Sequence, residues 1–154
     1  MIEVNEQFEV SAPPKAVWQL LADPHAVVGC VPGAAIVSQN DDGSIETTLG
    51  VKFGPLNIAF QGHSELELDE VAMCGRILAR GKDKQGGARF TASAVFDVSR
   101  TDTGSLVTTR GQVDISGRLA SLIESGANLV VKRMSSEFTD CLRARAEVAR
   151  AVDC

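Results

Sequence analysis

Three observations predict an α+β domain in which a long antiparallel sheet curls around one C-terminal helix. The first is period: two short helices aside, apolar residues alternate from Ile2 to Ile115, then recur at helical spacing from Gly117 onward. The second is punctuation. Asp42-Gly43, Gly54-Pro55 and Lys84-Gln85-Gly86-Gly87 divide most of the alternating stretch into meandering strands. The third is coverage. A long antiparallel sheet has one apolar face to bury, and only one stretch of the chain is a long helix able to cover it. At 154 residues the chain reads as a single domain over 1–154, and a hydrophobic share of 44% supplies its core.

Each element follows from local residues. In "IEVNEQFEV", Ile2, Val4, Phe8 and Val10 share one face of a strand, and Glu6 alone breaks the phase. "SAPPKAVWQLLADP" starts a short helix, with Ser11 as its candidate cap and prolines suited to its first turn. Pro24 forbids an unbroken continuation, so a second short helix follows, capped by Asp23 and ended by Gly29. Pro32-Gly33 turns the chain into "AAIVSQ". In "IETTLGVKF" the inward residues are Ile45, Leu49, Val51 and Phe53; in "LNIAFQGHSELELD" they are Leu56, Ile58, Phe60, Leu66 and Leu68. "CGRILARGKD", "ARFTASAVFDV" and "LVTTRGQVDI" complete about six strands after the first. Leu119, Leu122, Ile123, Gly126, Leu129, Val130, Met134, Phe138, Cys141 and Leu142 then lie on one helical stripe, with no proline through Val152. The expected architecture is a helix-grip: a curved antiparallel sheet of about six to seven strands wrapped around one long C-terminal helix, with two short helices after the first strand.

Charge and cysteine usage exclude several classes. Fifteen Lys and Arg against twenty acids give −5, which argues against nucleic-acid binding as the main role. The stretch from Arg118 to Arg150 is slightly basic, at +2, and reads as a solvated helix face. No apolar run reaches membrane-span length and no basic-then-apolar leader opens the chain, so a cytoplasmic protein is expected. Cys30, Cys74, Cys141 and Cys154 are far apart and make no C-x-x-C pair, so buried thiols rather than disulfides or metal ligands are expected. Neither metal nor cofactor is implied.

The inward phase is rich in small residues. Gly75, Ala79, Gly81, Ala92, Ala94 and Gly111 stand beside Phe60 and Phe90, and Gly126 and Ala127 face them from the helix. Two readings stay open: an internal apolar cavity, or close sheet–helix contact at Gly and Ala. The first gives a candidate ligand cavity lined by Val51, Phe53, Ile58, Phe60, Ile77, Ala79, Phe90, Ala92, Ala94, Thr109, Gly111, Leu122, Gly126 and Val130. Ser64 and Thr109 are the inward hydroxyls that could meet a ligand head group.

No catalytic constellation emerges. His63 lies in the outward set of its strand and reads as a surface histidine. Glu6 is the one phase-breaking acid, and an exposed residue is its simpler reading. "DPHAVVGCVPGA" brings His25 and Cys30 together in sequence, but five residues of helix place them about 140° apart around the axis. Cys30 is therefore read as a small packing residue and the stretch as architecture, not a nucleophilic site.

"VSAPPKAVWQLLADPHAVVGCVPGA" resembles the carbon monoxide dehydrogenase CoxG family. The likeness rests on V-x-A-P-x-x-x-V-W-x-x-L-x-D-P and the Cys30-Val31-Pro32-Gly33-Ala34 turn. It continues in "VKFGPLNIAFQG" and "ISGRLASLIESGANLVVKRMSSEFTDCL", covering residues 2 to 145. The family belongs to the START-like, polyketide-cyclase-like (SRPBCC) superfamily, which implies the helix-grip fold and a deep hydrophobic cavity. It also implies association with a molybdenum CO dehydrogenase or related hydroxylase, in maturation, membrane recruitment or delivery of an electron acceptor. The implied ligand is a lipid or quinone-like molecule, and the implied membrane contact is peripheral. The same superfamily holds cyclases and hydrolases, so the readings to separate are a non-catalytic carrier, a cavity enzyme and a protein-binding maturation factor.

Overall fold

The alternating segments become strands and the 3.6-period segment a helix in the computed structural model. It describes residues 2–153, and their side chains except at 122, 124, 125 and 149–153. In chain order the elements are β1 (Ile2–Val10), α1 (Pro14–Leu21), α2 (Pro24–Gly29), β2 (Ala34–Gln39), β3 (Ile45–Phe53), β4 (Leu56–Asp69), β5 (Cys74–Asp83), β6 (Arg89–Thr101), β7 (Gly104–Ser116) and α3 (Ala120–Asp153). The seven strands form one antiparallel sheet in the order β1-β7-β6-β5-β4-β3-β2. The long crossover from β1 to β2 is spent on α1 and α2, which stand against α3.

Local chemistry sets the two short helices. Pro13, not Ser11, is the N-cap of α1, and no side chain caps it. Proline explains why: the Pro13 ring carries no oxygen to accept a helix N–H, Pro14 lacks the N–H that its position would leave unpaired, and the fixed φ of both already suits a helix start. Asp23 caps α2, accepting the His25 backbone N–H at 3.0 Å. Gly33 has φ +79°, and a Cβ there would run into the Gly50 carbonyl, so only glycine fits this turn. The Gly33 carbonyl in turn accepts the Gly50 N–H at 2.9 Å, closing the turn on β3.

The core is divided. One cluster joins β1, α1, β6 and β7 to the late part of α3, through Phe8, Val10, Val17, Trp18, Phe96, Val107, Leu142 and Ala146. Trp18 and Phe96 meet there at 5.9 Å between ring centroids. Full burial of a side chain such as Leu142 stabilises the fold by about 1.5–3 kcal/mol. Ser105 is fully buried yet satisfied, donating to the Ala12 carbonyl at 2.6 Å. A second cluster, with Ile58, Phe60, Ala88, Ile123 and Ala127, sits under the early part of α3. The turns of α3 between Ala127 and Leu142 separate the clusters, and they face the space described below.

The cysteine expectation is corrected here. Cys30 and Cys141 form a disulfide, with Cα atoms 5.4 Å apart across 111 residues of sequence. Packing of the α2 C-terminus on α3 brings them together, and sequence spacing carries no trace of that approach. Cys74 is a free thiol, and Cys154 lies outside the described residues.

Candidate functional site

Between the clusters the sheet and α3 stand apart, leaving two adjoining apolar lobes. The first, about 280 Å³, lies under the middle of α3, where Val130, Val131, Met134 and Phe138 project toward Val51, Phe53, Phe60 and Ile115. Among the described residues Ser135 is its single polar side chain. The second, about 340 Å³, lies under α2, where Pro24, Val27 and Val28 face Ile45, Leu66, Ile77 and Ala79. Val31, Leu49, Phe90 and Ala92 line both lobes, so the two share a wall. Together their size is that of a site for a small organic ligand.

The lining has a polar end. Thr47, Ser64 and Glu65 border the second lobe. Thr47 and Ser64 lie on adjacent strands, Thr47 opposite Gly62 and Ser64 opposite Ile45, so they are diagonal neighbours. Their hydroxyls can donate to, or accept from, one polar group of an otherwise apolar molecule.

The candidate residues divide. Val51, Phe53, Phe60, Phe90, Ala92 and Val130 border the first lobe, and Ile77, Ala79, Phe90 and Ala92 the second. Ile58 sits in the buried cluster beside the first lobe. Thr109, opposite Glu6 and Phe96 in register, borders neither lobe. Ala94 and Gly111 are register partners away from both lobes. A Cβ at Gly126 would meet open space, and the Leu122 side chain lies outside the described residues. Val31, Thr47, Leu49, Met134 and Phe138 are lining residues that the small-residue pattern did not pick out. Thr47 shares the inward phase of Ile45 and Leu49, and that phase was its signal.

The small residues themselves serve two purposes. A Cβ at Gly81 would meet Phe90 Cζ at 2.8 Å, and one at Gly75 would meet Phe96 Cε1 at 2.7 Å. Both glycines are filled by the ring directly opposite in register. Ala79 and Ala92, by contrast, border the open space. Close contact and cavity thus coexist on one face: Gly81 and Gly75 mark the first, Ala79 and Ala92 the second.

The remaining candidates carry no such geometry. Cys30 is bonded to Cys141 and is neither a nucleophile nor a plain packing residue. Glu6 is exposed in the middle of β1. His63 lies outward but is clasped, its Nδ1 2.6 Å from Glu46 Oε1 and its Nε2 3.5 Å from Glu65 Oε1. The Glu46 hydrogen bond raises the His63 pKa, helped by Glu65 and opposed by desolvation and Arg80. The same bond holds Glu46 below the ordinary carboxylate value. This clasp borders a groove of about 660 Å³ on the outer face of the sheet, alongside Arg80, Lys82 and Arg89. The groove is larger than either lobe, but most of its lining residues are polar or charged, whereas both lobes are open clefts walled mainly by apolar side chains. Among the described residues no group of three or more His, Cys, Asp and Glu gathers as a metal site would require.

Comparison with solved structures places this architecture. A conserved protein from Geobacillus kaustophilus superposes with a TM-score of 0.83 at 17% identity, over 96% of this chain and 97% of its own. A START superfamily protein from Mycobacterium smegmatis gives 0.61 at 16% identity, over 96% and 98%. An aromatase/cyclase from a Streptomyces species gives 0.64 at 18%, over 95% and 93%. At these identities the likeness is one of fold, and the chain is a START-like helix-grip protein. Among curated proteins no significant match is found. The family model for carbon monoxide dehydrogenase CoxG matches residues 7–147, and the chain belongs to that family.

Proposed function

We propose that this protein is a non-catalytic carrier that buries one lipophilic molecule, a lipid or quinone-like compound, between the sheet and α3. The observation that carries this reading is the pair of adjoining apolar lobes held open between two separate core clusters. A solvated apolar space of this size gains about 25 cal/mol for each Å² of apolar ligand surface that it removes from water. Thr47 and Ser64 orient the ligand's polar group, and the lobe under α3 takes its apolar part. Among the described residues no carboxylate, imidazole or cationic group is aimed into either lobe, since the Glu65 carboxylate beside the second lobe turns outward to His63, so the lining suits holding a molecule better than acid–base turnover.

Family membership supports a place beside a molybdenum CO dehydrogenase or related hydroxylase, in maturation, membrane recruitment or delivery of an electron acceptor. Among the described residues no helix is long and apolar enough to cross a membrane. We propose a cytoplasmic protein whose membrane contact is peripheral, at the inner face. The test is organic extraction of protein purified without detergent, followed by mass spectrometry. A lipophile recovered in near-equal amount from the wild type and lost from Ala92→Phe supports the carrier. Wild-type protein that is reproducibly empty and takes up no added lipophile contradicts it.

A further inference from the structure

The second lobe has an unusual wall. α2 spans only six residues, and none of them belongs to either core cluster. Ala26 alone is buried; Pro24, Val27 and Val28 are half-buried over the lobe rather than packed into the core. Apart from the buried Ala26 and the Gly33–Gly50 hydrogen bond at the far end of the turn, few ties hold this wall down. Arg145 Nη1 donates to the Ala26 carbonyl at a long 3.5 Å, and the covalent tie is Cys30–Cys141. The tie is well placed: Cys30 is the C-cap of α2 and precedes Val31, which borders both lobes. Cys141 lies one turn of α3 beyond Phe138, which borders the first lobe. By contrast α1 and the late part of α3 are held by Val17, Trp18, Leu21, Leu142 and Ala146 in the core, independently of the disulfide.

We propose that α2 and the Cys30–Gly33 turn form a lid over the ligand cavity, and that the Cys30–Cys141 disulfide is its redox-operated latch. This inference rests on the carrier reading given above. Bonded, the latch pins the lid to α3 and traps the ligand. Reduced, it leaves a short helix held by the buried Ala26, the long Arg145 hydrogen bond and the Gly33–Gly50 bond, and the lid opens while both core clusters persist. Disulfides in a reducing compartment are characteristically transient, so a cytoplasmic carrier would meet both states.

The reductant is a dithiol. Its thiolate attacks the sulfur of Cys141, because Cys141 is half-buried whereas Cys30 is 3% exposed. The Cys30–Cys141 bond breaks and Cys30 leaves as a thiolate that takes up a proton. The second thiolate of the dithiol then attacks the mixed disulfide and releases Cys141, which is protonated in turn. Two electrons and two protons pass to the protein, and the dithiol becomes a disulfide.

The experiment loads the full chain with anilinonaphthalene sulfonate and follows its release into excess phosphatidylcholine vesicles. Release is measured oxidised, after reduction with dithiothreitol, and after reoxidation. Amide hydrogen exchange is followed in the same three states. Reduction is expected to speed release by about tenfold or more and to speed exchange across 24–33, with both effects reversed by reoxidation. Exchange at Val98 and Val107 should stay slow. Cys30→Ser/Cys141→Ser protein should release fast under all conditions. Tight probe binding with equal release and equal exchange in both redox states would overturn the latch alone. Loss of protection throughout the sheet on reduction would also overturn it, by showing the bond to be a structural staple. A protein that holds no probe in either state would overturn the carrier reading and the latch together.

Discussion

Ala92→Phe separates an open cavity from a tight core in one substitution. Ala92 borders both lobes, so a phenyl ring there would occupy the shared wall between spaces of about 280 and 340 Å³. If the walls were in van der Waals contact, the ring would overpack the core at a cost of about 1–3 kcal/mol. For a chain of this size that is a fall in Tm of roughly 2–12 °C. An open space accepts the ring, and its burial leaves Tm unchanged or raised. The ligand then loses an equivalent apolar contact, worth about 1.5–3 kcal/mol, which weakens probe binding by roughly 10–150-fold. The assay pairs thermal melts of ligand-stripped protein with fluorescence titration of a lipophilic probe. Gly81→Ala is the internal control, because its new Cβ would run into the Phe90 ring and should destabilise by about 1–3 kcal/mol. A large drop in Tm for Ala92→Phe, with probe binding intact, would refute the reasoning.

Other outcomes follow from the same geometry. Leu142→Ala, at a fully buried position, should cost about 2–5 kcal/mol by denaturant titration; a loss below about 1 kcal/mol would show that the late part of α3 is not core. Thr47→Val with Ser64→Ala should weaken a short-chain quinone by up to about tenfold and leave a saturated hydrocarbon probe unaffected; equal losses for both would remove the polar end from the ligand site. The His63 pKa is raised above 6.5, so the clasp contributes in full below about pH 6.5 and is lost as pH rises through the higher folded value. Glu46, depressed below 4.5, contributes above that value and loses its share as pH falls through the lower folded pKa. The Tm gap between wild type and His63→Gln should therefore shrink as pH is raised above neutrality, and a gap constant with pH would contradict the clasp.

Much of the fold was legible because period and turn chemistry are local. The bounds of β3, β4 and β5 coincide with the segments read as alternating, and α3 begins within three residues of the change of period at Gly117. Asp23 was legible as a cap because aspartate before proline suits a helix start, whereas Ser11 misled because the helix begins three residues later, with Pro13 in the cap position. Whether a small residue leaves space was not legible from phase alone, because it depends on what lies opposite. Counting outward from the Lys84–Gly87 turn pairs Gly81 with Phe90 and Gly75 with Phe96, and that register was the signal available. The disulfide had no such signal: its two halves meet only through the packing of α2 on α3. Thr47 and Val31 were passed over because a threonine among polar neighbours and a valine in a turn look ordinary in sequence. Only curvature of the sheet around α3 turns them toward the same space.

The most direct test is native mass spectrometry of ligand-stripped protein mixed with a slight excess of a short-chain quinone. An apolar cavity with one polar end predicts a single adduct of one quinone per chain, displaced by a competing lipophile and strongly reduced in Ala92→Phe. Unmodified protein at every quinone concentration, or several weak adducts that Ala92→Phe leaves unchanged, would contradict a carrier with its ligand between the sheet and α3.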